Sequence, residues 1–118
     1  MKLFLPLLLL FALTQSKVQW LGPTSYDFGD LKKGVPVQHE FRFRNVSAEP
    51  LVVEVVRTSC GCTALDWEET VVPPDSTGSI RVEYDAKRSG WFRKKITVFF
   101  EGQRKPERLY IQGYVEGE

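Results

Sequence analysis

Sulfur and imidazole are scarce in this chain: 118 residues hold two cysteines, one methionine and one histidine. A structural zinc site takes four ligands, so two thiols and one imidazole exclude a complete one within a single copy. Sustained helical periodicity is also missing, as are internal repeats, linkers and low-complexity tracts, which leaves no pattern for a helical bundle or a solenoid. One long apolar run is present, Leu3 to Leu13. At about 11 residues, with Pro6 inside it, this run is short of the roughly 20 that a spanning helix needs. Lys2 precedes it and small or polar residues follow, the layout of a secretory signal peptide. The expectation is therefore a signal over residues 1–16, cleaved after Thr14 or Ser16, and one exported domain over 17–118. No cysteine near that junction offers a site for lipid attachment, so the mature chain is expected in the periplasm or outside the cell, not spanning a membrane.

Losing Lys2 takes Lys plus Arg from 16 to 15, against 15 Asp plus Glu, so the mature formal charge is zero. Without a long-range positive field, nucleic acid is not an expected partner. Removing Met1 leaves no thioether, and export places both thiols where they oxidise unless held reduced or metallated.

Short runs rich in Val, Ile, Phe and Tyr alternate with Gly, Pro, Asn and Asp clusters, the pattern of an all-β chain. Val18 to Leu21 and Tyr26 to Phe28 are expected strands, broken by GPTS and ended by the turn at Lys32-Lys33-Gly34. From Val35 to Asn45 the alternation is clean: Val37, His39, Phe41 and Phe43 share one face, and Gln38, Glu40, Arg42 and Arg44 the other. Leu51 to Thr58, LVVEVVRT, is too apolar for periodicity to choose an inner face and reads as a central strand. Ala64 to Trp67, Ile80 to Tyr84, Phe92 to Phe100 and Leu109 to Val115 complete the set, with VVPPDSTGS as a turn and Glu101 to Glu107 as a loop. About seven antiparallel strands suit two packed sheets, an immunoglobulin-like β-sandwich.

The series YDFGDLKKG, HEFRFRNVSAEPL, VVRTSCGCT, VPPDSTGSIRVEYD, SGWFRKKITV and LYIQGYV resembles a bacterial exported family, domain of unknown function 1573, over Tyr26 to Val115. The resemblance implies an immunoglobulin-like sandwich related in outline to the ASH and major sperm protein group and to pilus chaperones, built for binding rather than turnover. It implies no established activity. The family's SCGCT maps onto Ser59 to Thr63 without departure, whereas its proline-glycine turn reads Pro74-Asp75 here.

Cys60 and Cys62 are the redox or metal candidates. In an extended chain their Cα atoms lie about 7 Å apart, at the upper end of the disulfide range, so the chain must bend at Gly61 to join them. Closing so small a loop contributes about 1.6 kcal/mol at most, which makes a labile redox pair more reasonable than a staple. No cofactor is expected; on the alternative reading, the soft thiolates suit Cu(I). Against both the redox and the copper reading stands a tight turn whose thiols are inert or oxidised. His39 as a base for either cysteine is disfavoured: if Asn45 pairs with Leu51, His39 lies opposite Arg57 and about 10 Å from Cys60 along the strand.

If Phe100 pairs with Leu109, the outer face of the last hairpin places Phe99 across from Tyr110 and Lys95 across from Tyr114. Lys95, Phe99, Tyr110 and Tyr114 are thus the candidate partner-binding residues, with Arg93-Lys94-Lys95, Trp91 and Phe92 reading as a solvated strand end. Asn45-Val46-Ser47 reads as a polar turn, and Asp66, Glu68 and Glu69 as a solvated loop. No acid, base and nucleophile set assembles, so the expected function is non-catalytic: a binding or assembly module meeting another envelope protein, with thiol redox or Cu(I) binding as the alternative.

Overall fold

A computed structural model describes residues 16–68 and 70–117; the expected signal peptide, apart from Ser16, and Glu69 lie outside the described residues. The alternation read from Val35 to Asn45 falls where the sequence places it. In β3 (Val37–Asn45), Phe41, Phe43 and Asn45 are buried while Gln38, Glu40, Arg42 and Arg44 are exposed. Around it the chain forms β1 (Val18–Trp20), β2 (Ser25–Lys32), β4 (Leu51–Thr58), β5 (Cys62–Leu65), β6 (Val71–Val72), β7 (Thr77–Tyr84), β8 (Gly90–Phe100) and β9 (Glu107–Glu116). One sheet has the order β1-β3-β7-β5 and the other β2-β9-β8-β4-β6. The immunoglobulin-like sandwich is therefore present, with nine strands instead of about seven. Not all are antiparallel, because β2 runs parallel to β9.

The inner faces meet in one core, where Phe43, Ile80, Val82, Ile96, Val98, Leu109 and Ile111 are almost wholly excluded from water. Each such side chain contributes about 1.5–3 kcal/mol relative to leaving it exposed.

Two expected pairings are corrected. Asn45 to Pro50 does not close a hairpin: β3 pairs with β1 and β7, and β4 with β8 and β6. The chain crosses between sheets there, and the Asn45 side chain, wholly buried, builds the corner. Its Nδ2 donates to the carbonyls of Glu49 (2.7 Å) and Val72 (2.9 Å), while its Oδ1 accepts from the Ser47 amide (2.9 Å) and hydroxyl (2.7 Å). His39 consequently lies opposite Val82, not Arg57.

The second correction concerns register: Ile96, not Phe100, pairs with Leu109, a slip of four residues. Phe99 and Phe100 run past the end of β9 and pair instead with Val55 and Val53 of β4. An even slip preserves side-chain parity, so every residue of β8 keeps its expected face. A bulge between Val53 and Val55 explains why LVVEVVRT shows no periodicity: it resets the phase, so Val53 and Val56 both turn inward.

Candidate functional site

The Cys-Gly-Cys segment is the point where the chain leaves β4 and enters β5 in the opposite sheet. The Cys62 amide donates to the Ser59 carbonyl at 3.0 Å, closing a four-residue turn, and Gly61 at its third position has φ 87°. That combination is a type II turn, which needs a residue tolerating positive φ at that place. A Cβ on Gly61 would sit 3.0 Å from the Tyr84 ring and 3.3 Å from the Asp85 carboxylate. The Gly61 carbonyl accepts from the Asp85 amide at 3.0 Å, and the Ser59 hydroxyl bridges to the Lys95 backbone, donating to its carbonyl (3.0 Å) and accepting from its amide (3.2 Å). The turn thereby ties both sheets together.

Both cysteines are free thiols, Cys60 exposed and Cys62 half-buried. Cys62 pairs with Tyr84, whose ring stacks on Phe92 at 4.1 Å. Burial pushes the Cys62 thiol up to about 11; Lys94 pulls it down, while Asp85 and Cys60 add to the rise. Burial, reinforced by Asp85, also raises the Tyr84 phenol. Cys62 is thus a protonated, weakly nucleophilic thiol at neutral pH.

His39 is two strands away from Cys62, because β7 lies between β3 and β5. With Val82 linking His39 to Ala64, the offset from Cys62 is about 12 Å by strand spacing and rise, far beyond a hydrogen-bonded dyad. The ring stacks on Tyr26 at 3.8 Å and meets Phe41 edge-on at 4.6 Å. Burial lowers its pKa, partly offset by Glu40, so it packs as a neutral ring of the sandwich margin. Among the described residues no group of three or more His, Cys, Asp or Glu side chains converges as a metal site.

The second locus is the outer face of β8 and β9, where Lys95, Phe99, Tyr110 and Tyr114 share one side as expected but with different neighbours. Lys95 lies across from Tyr110, and Tyr114 from Trp91. Trp91 is 82% exposed and packs edge-on against Tyr114 at 4.9 Å. The Arg93 guanidinium lies 4.3 Å from the Tyr110 ring centre and donates to Gln112 Oε1 at 2.7 Å; Gln112 in turn donates to Asp27 at 3.3 Å. Farther along, Arg57 of β4 lies 5.5 Å from the Phe99 ring centre. The four candidates therefore belong to one strip of alternating rings and cations, completed by Trp91, Arg93 and Arg57.

A family model described as "Protein of unknown function (DUF1573)" matches residues 21–115. The chain belongs to that family. Curated proteins give no match. Among solved structures, a protein of unknown function from Porphyromonas gingivalis W83 superposes with TM-score 0.68 at 20% identity, covering 86% of this chain and 50% of that one. The VesB protease of Vibrio cholerae gives 0.65 at 13% identity over 94% of this chain and 35% of that one. An ASH/PapD-like domain of human CEP192 gives 0.65 at 9% identity, over 86% and 87%. The DUF1573 chain thus spans half the Porphyromonas protein and about a third of VesB, and at these identities the likeness shows the sandwich alone. It bears out the ASH-like outline implied by the sequence resemblance.

Within this DUF1573 sandwich the departure at Pro74-Asp75 leaves the turn intact. The Ser76 amide donates to the Pro73 carbonyl at 3.1 Å, and Asp75 takes φ 66° in the place a glycine would fill. Sequence reasoning missed Trp91 and Arg57 as members of the strip. For Trp91 the signal was available: strand parity puts positions 91, 93, 95 and 99 on one face whatever the register. Arg57 was hidden by the β4 bulge.

Proposed function

We propose that this domain is an exported, non-catalytic binding module of the bacterial cell envelope that docks another envelope protein on the outer face of β4, β8 and β9. The observation that carries the reading is Trp91, 82% exposed and flanked by Tyr114 and Arg93. An indole held in water by its own sheet is the kind of anchor that dominates protein interfaces, where Trp, Tyr and Arg supply most of the binding energy. Export rests on the Leu3–Leu13 leader. Among the described residues no helix is long and apolar enough to cross a membrane.

A sheet edge is the less suitable surface. β1, β5 and β6 are edge strands of three, four and two residues. The longer edge, β2, carries Asp27, Asp30 and Lys32 and is broken by a bulge between Asp27 and Asp30. Charge and bulges are devices that discourage strand addition.

The test is a photo-crosslinking residue at position 91 in cells, with a second at Gln19, exposed on β1 of the other sheet, as control. A discrete adduct with one envelope protein from position 91 alone supports the module. Equal or absent adducts at both positions refute it. The alternative, a Cys60–Cys62 redox pair or Cu(I) carrier, is favoured by the placement of both thiols on one turn but weakened by the raised pKa of Cys62. Stoichiometric Cu(I) uptake lost in the double Cys→Ser variant would support it.

A further inference from the structure

On the docking reading above, the charge on this face names the partner's chemistry. Strands β4, β8 and β9 place Arg57, Arg93, Lys95 and Arg108 on the outer side, at register positions next to one another: Arg57 and Arg108 both face Thr97, and Lys95 faces Tyr110. Carboxylates stand at the margin, on β2, in the β4 bulge and at the end of β9. Among the described residues both ion pairs, Arg44 with Asp75 and Arg81 with Asp66, belong to the other sheet. The four cations thus have no carboxylate within ion-pair distance among the described residues, and the polar partner of Arg93 is the neutral amide of Gln112.

Arg57 and Arg93 are in addition laid over aromatic rings. Stacking fixes a guanidinium while leaving its N–H rim available, so less side-chain freedom is lost when it takes up a carboxylate. Trp91, Arg93 and Lys95 are alternate residues of one strand, about 6.6–6.8 Å apart, the spacing at which an extended peptide presents its own alternate side chains.

We infer that this face binds an extended acidic segment of a partner protein, with carboxylates at alternate positions meeting Arg93, Lys95, Arg57 and Arg108 and a large apolar residue resting on Trp91 and Tyr114. A mature chain of zero net charge suits such local recognition better than capture of a uniform polyanion.

The probe is a peptide of about eight residues with one leucine followed by glutamates at alternate positions, titrated against the mature domain by Trp fluorescence and calorimetry. Its glutamine counterpart, a single-stranded oligonucleotide and anionic phospholipid vesicles are run alongside. Expected are binding that weakens with salt, at least tenfold weaker binding of the glutamine peptide, and at least tenfold loss in W91A and in the double variant R93E/K95E with unchanged melting temperatures. Equal affinity for the two peptides, or tighter binding of the oligonucleotide or vesicles, overturns the inference. The cross-link at position 91 separates the two levels: an adduct whose partner segment is not acidic defeats this inference and leaves the docking module standing, whereas no adduct defeats the module itself.

Discussion

Replacing Asn45 with alanine tests how the chain crosses between its two sheets. The carboxamide makes four hydrogen bonds from a site without solvent access. The partners at Ser47 and Glu49 lie near the surface and can turn to water, so their loss costs about 0.5–1 kcal/mol each. The Val72 carbonyl is buried and would lose the Asn45 donor with no water to replace it, at about 1–3 kcal/mol. The sum is about 4 kcal/mol, a large share of the 5–15 kcal/mol that holds an ordinary domain together. At an m-value of about 1.3 kcal/mol/M the urea midpoint should fall by about 3 M. Asn45→Asp sharpens the test, because a carboxylate would face the two carbonyl oxygens that the amide now satisfies. It should be less stable than the alanine variant at pH 7. Since that carboxyl's folded pKa is raised above its unfolded value, stability is recovered below the unfolded pKa and lost as pH rises through the folded one. An alanine variant within 1 kcal/mol of the parent, or an aspartate variant as stable as the parent at pH 7, would refute the role given to Asn45.

Gly61→Ala should cost about 1–2 kcal/mol by the positive-φ penalty alone, with the Tyr84 ring contact adding to it; unchanged stability in a denaturant melt would mean the turn is not held as described. At pH 8 iodoacetamide should modify Cys60 well before Cys62, whose rate should climb with pH until about 11; equal rates at pH 8 contradict the burial of Cys62. Because the folded pKa of Cys62 is raised, its contribution to stability is complete below the unfolded value and is lost as pH rises toward 11, so the parent but not Cys62→Ser should lose that increment in melts across pH 9–11. Trp91→Ala should leave the melting temperature within about 2 °C, since an indole in water contributes little to folding; a large drop would show that Trp91 supports the fold.

The alternation of β3 and the apolar runs of β8 and β9 made the sandwich legible, because period-2 burial is written directly into side-chain order. Pairing was not legible. A turn such as Asn45 to Pro50 looks the same from its residues whether it closes a hairpin or crosses between sheets; the difference lies in Val72, 27 positions away, accepting from Asn45. The β8–β9 register was missed because loop length does not say which strand outruns the other. Parity survived the four-residue slip, which is why Lys95, Phe99, Tyr110 and Tyr114 still share a face while their neighbours changed. At Cys60 and Cys62 the glycine between them announced a bend, and the bend is there, but the burial that separates the two thiols comes from Tyr84 and the sheet that carries it.

The docking face is tested most directly by backbone and indole amide shifts of the nitrogen-15-labelled mature domain as the acidic peptide is added. Shifts confined to the Trp91 indole, Arg57, Arg93, Lys95, Arg108, Tyr110, Gln112 and Tyr114 are the predicted result. Shifts centred on the Cys60-Gly61-Cys62 turn or on β3, with the Trp91 indole unmoved, would contradict it.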